Sequence, residues 1–237
     1  MRNTAGSGWG HVTRAARTRD FGDQLSPEER FEFESLRVSC CYPPGSTLFV
    51  EQQTPDNVLF LLTGQVKISL NSSAGRRVIL GVACPGETLG LASAFSGSRY
   101  GITAETVSQC RVASIASAAF VGFLRQHPSA YANVARELSV ECAQARDQVR
   151  RLGLAITASA KLVRFLLDQC AVATQTEGGT RLFCGLTHTE IGECIGVSRE
   201  TVTRLFCDFR SRELLESRGS TLIVSNRRAL ETYAGLE

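Results

Sequence analysis

The chain reads as an α+β protein in three parts: an N-terminal antiparallel β-roll, one long central helix and a C-terminal winged helix-turn-helix. Three patterns in its 237 residues carry that reading. Short β-branched runs between Val38 and Ile115 are separated by glycine and polar turns, an apolar seam follows Pro128, and two short helical stretches joined by a glycine occupy Thr187 to Arg210. Composition sets no obstacle. The chain is 43% hydrophobic, carries 26 basic and 23 acidic residues for a formal charge of +3, and is long enough to bury two cores.

Residues 1–24 read as a basic tail. From Met1 to about Asp20 there is no apolar periodicity, and Arg2, Arg14, Arg17 and Arg19 have no acidic neighbour before Asp20. The tail lacks the apolar centre of a secretory signal, and no window reaches the run of about 18 apolar residues that spans a membrane. The expected location is the cytoplasm, with no membrane partner. The nine cysteines are scattered and odd in number, so they are expected as reduced thiols rather than as a disulfide framework. Cys84, Cys110, Cys170, Cys184, Cys194 and Cys207 are expected to be buried.

Residues 25–127 form the β-roll. Apolar runs at 47–51, 58–64, 66–70, 77–83 and 110–115 have the length and spacing of strands in a sandwich or barrel. Glycines at 45, 64, 75, 81, 86 and 90 fall near the ends of those runs, where a roll must turn sharply.

Residues 128–156 form the long helix. Tyr131, Ala135, Leu138, Cys142, Ala145, Val149, Leu152 and Ile156 are spaced alternately four and three apart, the a/d pattern of a two-stranded coiled coil. Charged residues from Arg136 to Arg151 flank the seam. The expected partner is a second copy of this chain; packing of the seam on its own β-roll is the alternative. Cys142, at a core heptad position, would face its symmetry mate, either as a small hydrophobe or as one half of a redox-switched disulfide. Gly153 to Thr157 is the expected hinge. A further helix from about Ala160 to Ala171, capped by Thr157 or Ser159, turns Leu162, Phe165 and Leu166 inward.

Residues 157–237 form the winged helix-turn-helix. Thr187 and Glu190 make a capping box that starts a helix with Ile191 and Ile195 on its apolar stripe. Gly196 turns the chain, Val197 staples it, and Ser198 caps a second helix starting at Arg199. In that helix Val202, Leu205, Phe206 and Phe209 commit one face to the core. The opposite face presents Arg199, Glu200, Thr203 and Arg204. An arginine donates two parallel hydrogen bonds to guanine O6 and N7 and a carboxylate accepts from cytosine N4, so this set is suited to base reading in the major groove of double-stranded DNA. Thr187, Ser198, Thr201, Arg218 and Ser220 are candidates for phosphate contacts, which position without specifying. Extended runs on either side of Arg218 and Gly219 give a small hairpin, the wing.

This order of parts, together with Ser198-Arg199-Glu200-Thr201-Val202-Thr203-Arg204, resembles the Crp/Fnr family of bacterial transcription regulators over about residues 25 to 237. The resemblance implies a cyclic-nucleotide-binding-like jelly roll, a homodimer on a palindromic operator with TGTGA-like or TTGAT-like half-sites, an effector at the β-roll, and RNA polymerase as a partner. It implies base contacts from Arg199, Glu200 and Arg204, with Thr203 where oxygen-sensing relatives carry a base-contacting serine.

Departures from the family pattern bear on the effector. Cyclic-AMP binders use Gly-Glu-Leu followed by Arg-Ser to hold ribose and phosphate. Here the corresponding pocket positions are Gly90-Leu91-Ala92 and Ser98-Arg99, so the ribose acceptor is missing and cyclic-AMP control is not expected. A conventional iron–sulfur cluster is not expected either: Cys110 matches one ligand of the oxygen-sensing branch, but residues 1–39 contain no cysteine. Haem is left open, although His11, His127 and His188 are poorly placed as axial ligands. Other function classes read less well. A ligand-sensing module acting on a protein partner would not need the base-reading comb, and no nucleophile, paired-carboxylate or C-x2-C or HExxH spacing points to an enzyme.

Overall fold

The computed structural model describes residues 20–72, 75, 77–153, 157–170, 174–176 and 179–233. Expectations for residues 1–19, for Ile156 and most of the hinge, and for the side chains of Cys170 and Arg218 lie outside the described residues.

The chain enters through a 3-10 turn at Phe21–Gln24 and helix α1, Pro27–Leu36. Ser26 starts α1 as one half of a capping box with Glu29, and Pro27 occupies its first turn, where the missing N–H costs nothing. The basic tail therefore does not extend to residue 24 as expected. Phe21 is fully buried in a ring cluster with Phe33, Phe60 and Phe120, at centroid separations between 5.2 and 6.5 Å. A lone aromatic beside a charge-rich stretch gave no periodic signal of this.

Two four-stranded antiparallel sheets form the roll. One runs β1 (Val38–Tyr42), β8 (Cys110–Ala116), β3 (Asn57–Thr63), β6 (Thr88–Leu89); the other runs β2 (Thr47–Phe49), β7 (Thr103–Thr106), β4 (Val66–Asn71), β5 (Arg77–Ala83). Strand β3 explains its own near-continuous apolar run. Leu59 and Leu61 point between the sheets beside Phe49 and Val66, while Val58 and Phe60 point outward under helices α1 and α3 (Ser117–Gln126). A strand buried on both faces loses the hydrophobic alternation of a half-exposed one. Short helix α2, Leu91–Ser96, follows β6.

Helix α4, Tyr131–Gly153, lies along the roll with two different faces. Asn133, Val134 and Gln148 are buried against the chain's own elements. Of the heptad positions, Tyr131, Ala135, Cys142, Ala145 and Val149 are exposed and Leu138 and Leu152 half-buried; Val149 keeps 70% of its accessible surface. Packing of the whole seam on its own β-roll is thereby excluded, since within one chain its centre is uncovered.

The C-terminal unit contains α5 (Ala158–Cys170), β9 (Thr174–Thr176), β10 (Gly179–Phe183), α6 (His188–Ile195), α7 (Arg199–Ser211), β11 (Leu215–Arg218), β12 (Thr221–Val224) and α8 (Arg227–Tyr233). Its sheet runs β11, β12, β10, β9, and the β11–β12 hairpin closes at Gly219. Leu162, Val163 and Leu166 of α5 join Ile191, Ile195, Val202, Phe206, Phe209 and Leu222 in one core.

The thiols divide. Cys84, Cys110 and Cys194 are buried and Cys184 is half-buried, but Cys207 is exposed on α7, contrary to expectation, because it falls one position beyond the apolar stripe. No disulfide joins the cysteines whose side chains are described.

Truncating Phe33, which is 0% exposed and contacts four other rings through the cluster around Phe60, Phe120 and Phe123, is expected to leave a cavity. Phe33→Ala should cost about 3–5 kcal/mol in urea unfolding of the β-roll, followed by far-ultraviolet circular dichroism.

Candidate nucleic-acid interface

Helix α6 starts as a reciprocal cap. The Glu190 amide donates to the Thr187 hydroxyl oxygen at 3.2 Å, while the Thr187 amide and hydroxyl donate to Glu190 Oε2 at 2.8 and 2.9 Å. The chain leaves α6 through Gly196 at φ 69°, a left-handed conformation that an L side chain adopts only with strain. Close approach of the two helices depends on Gly192, where an added Cβ would sit 2.6 Å from the Val197 carbonyl oxygen. Ser198 then accepts from the Thr201 amide at 3.2 Å and starts α7.

Helix α7 divides as its periodicity requires. Val202, Leu205, Phe206 and Phe209 are buried, and Arg199, Glu200 and Arg204 are exposed. The Glu200 carboxyl is held below its ordinary range by its own backbone N–H and the Ser198 hydroxyl, with Arg199 adding to the effect. At neutral pH the exposed face is thus two guanidinium groups about one carboxylate.

Thr203 differs from the other three. Its hydroxyl donates to the Arg199 carbonyl at 3.0 Å, and its oxygen lies 2.9 Å from His188 Nδ1. Its donor is used inside the helix pair, which leaves the methyl and one lone pair for any outside contact. His188 stacks on Phe206 with centroids 4.8 Å apart. Burial lowers the His188 pKa, and Arg210 and Arg199 lower it further, so the ring is neutral and can donate to Thr203. Sequence reading placed His188 in this unit but gave it no role; helical spacing does not reveal a contact between two helices.

Among the positioning candidates, Thr187 and Thr201 use their amides or hydroxyls in the caps, and Ser220 is exposed at the wing tip. The wing is fastened to the unit by the Cys184 amide, which donates to the Ser220 carbonyl at 2.8 Å.

A cavity of about 140 Å³ lies between the roll and α4. Gly90 and Leu91 line it with Ile68, Leu80, Leu89 and Ile102. Ala92, Ser98 and Arg99 do not. The Ser98 hydroxyl bonds that of Ser96 at 2.5 Å, and Arg99 donates to the Gln52 carbonyl at 2.7 Å, because the turn after α2 carries both away from the cavity. Glu87, Glu137 and Glu141 are among the lining residues, and among the described residues the lining contains no arginine or lysine. The buried Thr88 hydroxyl has no hydrogen-bond partner among the described residues.

An antiparallel roll, a long helix with an uncovered seam and a helix-turn-helix bearing an exposed arginine–carboxylate comb together define a two-part transcription regulator. The cyclic nucleotide-binding domain family matches residues 40–127, and the Crp-like helix-turn-helix domain family matches residues 160–233. The chain is 28% identical over 193 residues to the transcriptional activatory protein AadR of Rhodopseudomonas palustris, covering 81% of this chain and 79% of that one. It is 25% identical over 194 residues to a CRP-like cAMP-activated global transcriptional regulator of Mycobacterium tuberculosis, covering 81% and 86%. The fold matches the structure of FixK2 from Bradyrhizobium japonicum with a TM-score of 0.74 at 22% identity, over 83% of this chain and 96% of that one. The chain belongs to the Crp/Fnr family of DNA-binding transcription regulators.

The His188 environment has a pH signature. A histidine whose folded pKa lies below its unfolded value contributes stability above that value and loses it as pH falls. As pH falls below about 6.5 the C-terminal unit of the wild type is expected to lose more stability than that of His188→Gln, which cannot be protonated. Parallel thermal melts across that range check the difference.

Proposed function

We propose that the protein is a homodimer that binds a palindromic operator in double-stranded DNA and reads bases through Arg199, Glu200 and Arg204, with Thr203 lending van der Waals contact. The observation that carries this is the exposed comb on α7, standing on a helix whose opposite face is wholly committed to the core. Thr187, Ser198, Thr201, Arg218 and Ser220 fasten the phosphates around it. The uncovered seam from Tyr131 through Ala135, Leu138, Cys142, Ala145 and Val149 to Leu152 supplies the dimer, with Ile156 continuing its spacing. A two-fold dimer presents two such helices to successive major grooves.

A signal received at the cavity between the roll and α4 controls the protein, and it is not cyclic AMP. No arginine or lysine lines the cavity among the described residues, and Arg99 is turned toward Gln52, so a cyclic phosphate would lack a side-chain cation there. A small ligand able to bond the Thr88 hydroxyl suits the space better. The protein works in the cytoplasm with RNA polymerase as its further partner, as regulators of this class do.

Operator selection followed by binding titrations tests the reading. Arg204→Ala is expected to lose about 1–3 kcal/mol on the selected site and to relax preference at one base pair, whereas Arg218→Ala weakens specific and random DNA alike. Equal losses for Arg204→Ala on both would refute its base-reading role. For the dimer, sedimentation at micromolar concentration should give two copies for the wild type and one for Val149→Glu, since a charge at an exposed heptad position has no partner across the seam.

A further inference from the structure

The first helix of the helix-turn-helix is docked on the roll of its own chain. Lys67 of β4 places Nζ 2.7 Å from Glu190 Oε1 on α6 and 2.7 Å from Glu105 Oε1 on β7. Arg77 of β5 donates Nε to Glu193 Oε2 at 2.7 Å, and its Nη2 lies 3.9 Å from Glu190. Gln148 of α4, 4% exposed, donates Nε2 to two carbonyls, that of Ile79 on β5 at 3.1 Å and that of Cys194 on α6 at 2.8 Å. The Cys194 carbonyl belongs to the last turn of α6, where no intrahelical donor reaches it, so a side chain from another element completes the helix.

Apolar contact joins the polar ones. Ile79 is fully buried in the cluster that otherwise forms the C-terminal core. The β4–β5 register shifts between Ile68 and Ser69, leaving Leu80 as an extra residue on β5, and Leu80 with Gly81 lines the cavity while Ile79 faces α6. These pairs differ from exposed surface pairs, since the Lys67 and Glu190 side chains keep only 8% and 14% of their accessible surface. Burial opposes charge on both, yet hydrogen bonds to Glu105 and Glu190 raise the Lys67 pKa and those from Lys67 and Thr187 lower that of Glu190.

We infer that Lys67, Arg77 and Gln148, none of which belongs to the DNA-reading face, are positioning residues that set the spacing and phase of the two recognition helices, and hence the half-site spacing the protein accepts. The inference rests on the dimer reading above. In that dimer the α4 seam fixes the two rolls relative to the symmetry axis, and the docking of α6 fixes each recognition helix relative to its roll. The path from axis to α7 is then rigid without reliance on residues 154–156. Freezing the arrangement beforehand spares that ordering cost on binding and penalises any operator of different geometry. One extra base pair between half-sites shifts them by about 3.4 Å and turns them by about 34°.

The test uses the full chain carrying Arg77→Glu, Glu193→Arg or both, neither residue being part of the capping box, and Gln148→Leu, which keeps shape but loses both donors. Each is titrated against the selected palindrome, the same palindrome with one base pair added to or removed from its spacer, and a duplex with a single half-site. Wild type should discriminate among spacers. Each single charge reversal and Gln148→Leu should bind the matching spacer about tenfold more weakly, keep half-site affinity and base preference, and flatten the spacer profile; the double reversal should restore it. An unchanged profile, tighter binding by the single variants, or an equal fall on the half-site duplex overturns the inference. Absence of any palindrome preference in the wild type instead overturns the dimer reading on which it stands.

Discussion

The carboxylate of Glu190 has its two oxygens in different parts of the molecule. Oε2 accepts from Thr187 and starts helix α6, while Oε1 accepts from Lys67 on the roll. One side chain thus makes the helix-turn-helix locally and ties it to the sensor globally. A capping carboxylate is otherwise exposed and weakly held; here its second oxygen is drawn into contact with a buried ammonium that Glu105 also neutralises. Around this point Arg77, Ile79 and Gln148 add an ion pair, an apolar plug and a helix-end cap. The relation of the recognition helix to the roll follows from that set.

Helix α4 has two faces that obey different rules. Toward its own chain it presents Asn133, Val134 and Gln148, and the described polar groups there find carbonyl partners, as buried donors must. Toward solvent it presents a seam of small and medium residues around Cys142 and Val149, suited to close approach of a second helix rather than to a deep core. Small residues at Ala135 and Ala145 limit the apolar area that this seam presents.

The cavity beside α4 is lined by Gly90 and Leu91 and, among the described residues, by no arginine or lysine. Gly90 has a left-handed backbone, and Arg99 donates to the Gln52 carbonyl and does not line the cavity. The Crp/Fnr fold tolerates this, since the roll is stabilised by Phe49, Leu61 and Val66 between its sheets and by the aromatic cluster outside them, none of which depends on what fills the cavity.

Local chemistry was legible in the sequence. The capping box at Thr187 and Glu190, the turn at Gly196, the Ser198 cap, the wing about Gly219 and the heptad seam are set by neighbours within about one or two helical turns, and their signals are short-ranged by nature. The limit was reached wherever distant residues met. Phe21 looked like part of a tail because its partners come from α1, β3 and α3; His188 had no role until α6 crossed α7; and Ser98 and Arg99 were assigned to a pocket from which the turn after α2 removes them. Lys67 and Arg77 read as ordinary strand charges, 123 and 116 residues from the carboxylates they meet. Periodicity and caps decided which helices form and which faces they bury, since those depend on φ, ψ and spacing alone. Tertiary structure alone decided how the helix-turn-helix sits on the roll, because ion pairing and shared burial depend on separations in space that the order of residues does not contain.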